Sequence, residues 1–302
     1  MTTAVRTLRR ATLDDLRAEI DAIDDSLHDL LMRRAGLAAD IARLKDGAAK
    51  ASRNARPKRR DRGPFFRPGR EASVVRRILG RHTGPFPATA LVRIWREVMG
   101  ALLHLQGPVT VAAAGSGFNE LVRDHFGTGA TVRARASAVA AIRAMSAGRA
   151  TVAVVPWPAS TDRRWRSERP WWVSLAKGGA PRVVAALPAL AAARQSPAAL
   201  IVAPMPPEPS GHDRSLIAFL SRRTVSSPAI ARALTASGLE GRIVARAAEG
   251  RAALLDVMGF VSDQSVNLEA LTIVADDARP VVIGAYAVPY TVGGRTVTRG
   301  ES

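Results

Sequence analysis

Apolar residues recur at Leu13, Leu16, Ile20, Ile23, Leu27, Leu30, Leu37, Ile41 and Leu44, in steps of three and four with one gap, and Arg34 fills the gap. That spacing predicts one long amphipathic helix whose stripe packs against other helices. A second helix is expected from Pro68, which suits a first turn, to near His82. A third is expected over 87–106, with Leu91, Trp95, Val98, Leu102 and Leu105 as its stripe and Gln106 closing it before Gly107-Pro108. Beyond Pro108 the helical period gives way to short apolar runs: a strand at 109–114, a turn at Gly115-Ser116-Gly117, a helix at 118–126, a strand at 132–136, a helix through 147 and a strand at 151–155. Strands alternating with helices predict a small α/β lobe with parallel pairing. From Asp213 the order is strand (215–220), helix (227–237), strand (242–247), strand (252–261), helix (267–276) and strand (281–286), which is a ferredoxin-like order.

A guanidinium in an apolar stripe must find an anion or carry a heavy desolvation cost. Taken alone, Arg34 reads as a snorkelling arginine or half of a buried ion pair. It does not stand alone. Lys45 lies eleven residues on, and at about 100° per residue it returns to nearly the same face. Arg17, seventeen residues before Arg34, sits about 25 Å away along a straight helix and on a different face. Arg17 therefore cannot serve the same small ligand unless it comes from another copy of the chain.

The pieces Leu16-Arg17, Ile20-Asp21-Ala22-Ile23-Asp24, Leu30-Leu31-Met32-Arg33-Arg34, the run 41–45, Arg67-Pro68-Gly69-Arg70-Glu71 and Trp95-Arg96-Glu97 leading to Gln106 stand in one order. Together they resemble the all-helical type of chorismate mutase, the domain that many bacteria fuse to prephenate dehydratase. The resemblance implies an intertwined dimer of three-helix chains that converts chorismate to prephenate in aromatic amino-acid biosynthesis, without metal or other cofactor. Position by position it implies that Arg34, with Arg17 of the partner subunit, grips the two substrate carboxylates. Lys45 and Gln106 would face the ether oxygen, Glu71 the ring hydroxyl, and Arg70 would belong to the electrostatic wall. Some members carry a serine four residues before the final glutamine, where this chain has Leu102, and the loop between Lys45 and Arg67 is unusually long and basic.

The segment after Pro108 resembles the first lobe of prephenate dehydratase, with Gly148-Arg149-Ala150-Thr151-Val152-Ala153-Val154-Val155-Pro156 as the nearest match. Its chemistry has gone. Pro158 and Ala159 replace a glutamate and an asparagine, and Ala198-Ala199-Leu200 stands for a catalytic threonine-arginine-phenylalanine. No dehydratase activity is expected. The last segment resembles a regulatory ACT domain by element order. That family's effector-binding motifs are not recognisable at Val225-Ser226-Ser227-Pro228 or Arg246-Ala247-Ala248-Glu249. The expected organisation is thus a multidomain chain: an all-α three-helix domain over 1–107 with a basic loop at 48–66, a truncated α/β lobe over 108–206, and a ferredoxin-like α+β domain over 207–302.

Charge changes this picture little. The net charge is +18, with 22 Lys and Arg against 12 Asp and Glu in residues 1–107 and 22 against 14 thereafter, so the excess is spread over the chain. Its densest run, Lys50, Arg53, Arg56, Lys58, Arg59, Arg60 and Arg62, reads as a solvated loop. With no nucleic-acid recognition module beside it, specific nucleic-acid binding is not expected. Steering of an anionic substrate is. The stretch that interleaves Trp157, Trp165, Trp171 and Trp172 with Arg163, Arg164, Arg166 and Arg169 reads as a loop over the lobe in preference to a base-stacking platform. His28, His82, His104, His125 and His212 show no ligand spacing, cysteine is absent, and Gly115-Ser116-Gly117 reads as a backbone turn. No secretory signal or membrane span is seen, so a cytoplasmic location is expected. A rival reading keeps the fold but makes it a non-catalytic regulatory or scaffold protein that binds an aromatic-pathway metabolite.

Overall fold

The computed structural model describes residues 12–51, 66–158, 170–191, 195–247, 250–265, 267–274 and 277–291. Chain contacts divide the protein into two units, residues 1–62 and 63–302.

The first unit is one helix, α1 (Leu13–Ala51), 39 residues long. Its start is set by a reciprocal cap. The Asp15 backbone N–H donates to Thr12 Oγ1 at 3.1 Å and the Thr12 N–H donates to Asp15 Oδ2 at 2.9 Å, which satisfies two donors that a helix start leaves open. The Thr12 hydroxyl, which donates to Asp15 Oδ2 at 2.7 Å, and then the Thr12 N–H hold the Asp15 carboxyl below the usual carboxylate range. α1 continues to Ala51, beyond the 48 where the basic loop was expected to begin. The remainder of that loop, 52–65, lies outside the described residues. Every position of the predicted stripe is exposed, from Leu16 at 48% to Leu44 at 74%.

The second unit opens with α2 (Pro68–Arg81) and α3 (Ala88–Leu105). Ala72, Val75, Val92, Met99 and Tyr290 form their shared core. The buried stripe of α3 is Val92, Arg96, Met99 and Leu103, one residue out of phase with the expected one. Of the expected set, Leu91, Trp95, Val98 and Leu102 are half-buried and Leu105 is exposed. α3 is apolar on two adjoining faces, and the chain beds the one that includes Gly100, where an added Cβ would stand 2.1 Å from the Phe126 carbonyl oxygen.

A nine-stranded sheet follows. Its strands are β1 (Thr110–Ala114), β2 (Thr131–Arg135), β3 (Val152–Pro156), β4 (Arg182–Leu187), β5 (Ala199–Ala203), β6 (Asp213–Leu220), β7 (Gly241–Ala247), β8 (Ala252–Met258) and β9 (Arg279–Ala287), in the order β2-β1-β3-β5-β4-β9-β6-β8-β7. β1 pairs in parallel with β2 and β3, as the strand-helix alternation predicted, with α4 (Asn119–Phe126) and α5 (Ala138–Ser146) as crossovers. β9-β6-β8-β7 is the antiparallel ferredoxin-like set, with α7 (Ser227–Ala236) and the short α8 (Asn267–Ala270) between its strands.

Two elements differ from expectation. The segments 108–206 and 207–302 share one sheet, because β4 pairs in parallel with β9 at Val183 and Gly284. The Trp/Arg stretch is also not only a surface loop. α6 (Trp171–Leu175) buries Trp171 and Trp172 in the main core, and Trp172 is fully covered. Trp165 and the four arginines lie outside the described residues.

The helix pair is fastened to the sheet. Tyr290 Oη donates to the Ala72 carbonyl at 3.0 Å, Arg76 Nη1 to the Ser210 carbonyl at 2.7 Å, Ser73 Oγ to the same carbonyl at 3.1 Å, and Arg67 pairs with Glu208 at 3.0 Å.

Candidate functional site

Arg17, Arg34 and Lys45 all lie on α1, so the unbroken helix that their spacing required is present. Arg17 is exposed and forms an ion pair with Asp14 one turn away at 3.2 Å. Such an exposed pair within one helix is worth only a few tenths of a kcal/mol, so it leaves the guanidinium available. Arg34 is half-buried. Lys45 follows eleven residues later on nearly the same face, and its side chain lies outside the described residues.

Arg70, Glu71 and Gln106 belong to the second unit. Arg70 and Glu71 sit in the first turn of α2. Arg70 is exposed. Glu71 points to α3, where Arg96 Nη1 donates to its Oε2 at 3.0 Å. The pair is largely out of water, with 5% of the Arg96 side chain and 16% of the Glu71 side chain exposed. Removing one partner of a buried pair leaves the other charge uncompensated, a penalty of about 3–5 kcal/mol. Arg96 therefore holds the Glu71 carboxylate in one orientation. Sequence reasoning quoted Arg96 within a matching string but gave it no role. Its signal was a guanidinium at a helix position that also buries Val92, Met99 and Leu103.

Gln106 caps α3 at its C-terminal end, and its Nε2 donates to the Leu102 carbonyl at 3.2 Å. Ten residues, about 15 Å of helix, separate it from Arg96, so within this unit Gln106 and Glu71 stand at different levels of the helix pair. Leu102 contributes its backbone oxygen to Gln106.

Below the ion pair lies His125, 5% exposed, wedged between Phe66 and Phe126 with ring centroids 6.1 and 4.8 Å away. Neither ring nitrogen has a hydrogen-bond partner among the described residues. Burial, and secondly the Arg96 charge, hold its pKa well below the ordinary histidine value, so it is neutral.

Two of the positions compared with the dehydratase motif fall inside the sheet. Ala199 and Leu200 are wholly buried in β5, which is bonded on both sides to β3 and β4. Ala198 uses its carbonyl to accept from the Trp157 N–H at 3.0 Å. Methyl and isobutyl groups in a strand cannot donate or accept a proton. Pro158 is buried, and Ala159 lies outside the described residues. Among the described residues no helix is long and apolar enough to cross a membrane.

Residues 16–107 match the family model described as chorismate mutase type II. The bifunctional chorismate mutase/prephenate dehydratase of Stutzerimonas stutzeri is 31% identical over 153 residues, half of this chain and 40% of that protein. The protein of the same description from Pseudomonas aeruginosa is 32% identical over 158 residues, with the same shares. This chain thus spans about two fifths of the length of these relatives. Among solved structures, a prephenate dehydratase from Streptococcus mutans covers 61% of this chain with all of its own length, at 17% identity and a TM-score of 0.42.

Proposed function

We propose that the protein is a chorismate mutase that works as a homodimer without a cofactor. The observation that carries this reading is α1: one unbroken helix presents Arg34 and Lys45 on one face, and Arg17 about 25 Å away on another, within the stretch that matches the mutase family. The mutase relatives support the same assignment.

Chorismate rearranges within one molecule. An ether C–O bond breaks as a C–C bond forms, with no nucleophile and no obligatory proton transfer. The protein need only hold a compact conformer and stabilise charge on the departing ether oxygen. Arg34, and Arg17 of the partner subunit, bind the two carboxylates through guanidinium forks. Lys45 and the Gln106 amide serve the ether oxygen, and Arg70 adds positive potential. Glu71, held in place by Arg96, accepts from the ring hydroxyl.

The exposed stripe of α1 supports the dimer. Nine leucines and isoleucines left about half to three-quarters exposed forgo roughly 8–16 kcal/mol, scaling the about 1.5–3 kcal/mol of a fully buried side chain by that exposure. A second copy that covers them recovers that energy and supplies the distant arginine in the same step.

The test is loss of chorismate absorbance, followed by complementation. Arg17→Ala and Arg34→Ala should each slow turnover by on the order of 10²-fold or more, since each removes a charge-assisted contact. Co-refolded together, the two mutants form about half mixed dimers, each with one intact site of two, so activity should recover to roughly a quarter of wild type. Two inactive mutants that stay inactive after verified heterodimer formation would separate Arg17 from Arg34 and overturn the shared site. A wild-type protein that binds chorismate without consuming it would favour the regulatory-scaffold reading instead.

A further inference from the structure

The open end of the antiparallel half-sheet holds a polar group that the mutase reading does not use. Arg214 on β6 stands opposite Tyr286 on β9, and Arg242 on β7 stands opposite Asp256 on β8. Directly paired residues of antiparallel strands share a face, so these side chains converge. Asp256 is wholly buried. Its Oδ1 accepts from Arg214 Nε at 2.8 Å and from Tyr286 Oη at 2.9 Å. Burial first, and then the Asp256 charge, push the Tyr286 phenol far above its ordinary pKa, so it remains a donor.

The other oxygen, Asp256 Oδ2, has no hydrogen bond among the described residues. Arg242 Nε faces it at 3.5 Å, beyond a normal hydrogen bond. Buried polar atoms are almost always paired, by a ligand where not by protein. Arg242 is also only partly used: Nη2 donates to Ser196 Oγ at 3.0 Å, and 56% of the side chain remains exposed. Both groups line a pocket of about 330 Å³, to which Pro197, Val288 and Pro289 add apolar surface and Gln195, Ser196 and Thr291 polar surface. That volume lies at the lower end of the range for small-molecule sites. Two arginines against one carboxylate leave the pocket one positive charge in excess.

We propose that this pocket binds a small carboxylic acid that has an apolar body and a hydrogen-bond donor, hydroxyl or ammonium, next to the carboxylate. The carboxylate pairs with Arg242, the donor fills Asp256 Oδ2, and the body lies on Pro197, Val288 and Pro289. The site shares no residue with the proposed mutase set. It lies at the far end of β7 from Arg246, four residues or about 13 Å away, and so is separate from the positions where an ACT effector motif was sought. It stands whether or not the chain turns over chorismate.

Four probes with one body dissect the head group by calorimetry on the full chain: 3-phenyllactate (carboxylate and hydroxyl), phenylalanine (carboxylate and ammonium), 3-phenylpropanoate (carboxylate alone) and 2-phenylethylamine (ammonium alone). At least one of the first two should bind tenfold or more tightly than either of the last two, and which one binds identifies the donor. Arg242→Gln should weaken that binding tenfold or more. Val288→Trp should abolish it by filling the pocket, with chorismate turnover and circular dichroism unchanged in both variants. Equal binding of 3-phenylpropanoate, undiminished binding to Arg242→Gln or to Val288→Trp, or no binding of either two-group probe at 10 mM would each overturn the proposal; the concentration is a ceiling of roughly 3 kcal/mol in affinity.

Discussion

Gly284→Ala should break the sheet at its midpoint. β4 and β9 join the two halves at Val183 and Gly284. β9 has a register shift against β6 after Leu216, and β4 has one against β5 after Val183, so irregular backbone meets irregular backbone at the join. Bulged strands put one residue out of the ladder and favour glycine there. Gly284 has φ +151°, and an added Cβ would lie 2.1 Å from the Val183 carbonyl oxygen and 2.5 Å from its nitrogen. Those are backbone atoms of a central strand and cannot swing aside. A glycine-only conformation forced on alanine costs about 1–3 kcal/mol, and overpacking about 1–3 kcal/mol more, so the substitution should cost roughly 2–6 kcal/mol against the 5–15 kcal/mol typical of a whole domain. Gly211→Ala is the control, since Gly211 has φ +87° and no atom within 4 Å of the added methyl, leaving strain alone. All five tryptophans lie in residues 63–302, so urea unfolding followed by tryptophan fluorescence reports the unit in question. A Gly284→Ala protein no less stable than Gly211→Ala would refute the reasoning, because it would mean that β4 and β9 do not approach as closely as the sheet requires.

His125 gives the protein an acid limit. Its folded pKa is depressed, so below about 6.5 the unfolded chain takes up a proton that the folded one refuses, and stability falls by up to about 1.4 kcal/mol per pH unit. His125→Phe should remove that part of the slope, and parallel stability curves for the two proteins between pH 6.5 and 5 would contradict it. Given prephenate at neutral pH, the wild-type protein should form no phenylpyruvate above the spontaneous rate, because Ala198, Ala199 and Leu200 hold no proton donor. Enzymatic phenylpyruvate would overturn that expectation.

What could be read from the residues was whatever repeats locally. The α1 stripe and the ferredoxin-like order both rest on neighbours a few positions apart. The buried face of α3 was misjudged by one residue because both of its candidate faces are apolar, and only Gly100 marks the one that approaches α4. β4, β5 and α6 were missed for a related reason. Short alanine-rich strands show no alternation, and tryptophans among arginines look like surface until Trp172 is found fully covered. Contacts that span the chain gave no local signal at all. Nothing near Glu71 names Arg96 as its partner, 25 residues on, and Gly284 looks like any glycine in a strand. Of the candidate groups, the shared face of Arg34 and Lys45 follows from helical arithmetic alone, whereas the Arg242 and Asp256 pocket depends on strand register.

The bonds from Tyr290, Ser210 and Glu208 back to α2 bear on how such a chain can change over generations. A side chain inside a strand can be exchanged by one substitution with the sheet left standing. Deleting everything after residue 107 is a different kind of event. It would strip the cover from Ala72, Val75 and Met99 and take from the helix pair the groups that hold its first turn, where Glu71 sits. Point substitution can therefore alter the tail's chemistry one position at a time, while the tail itself remains the keel on which the two short helices ride.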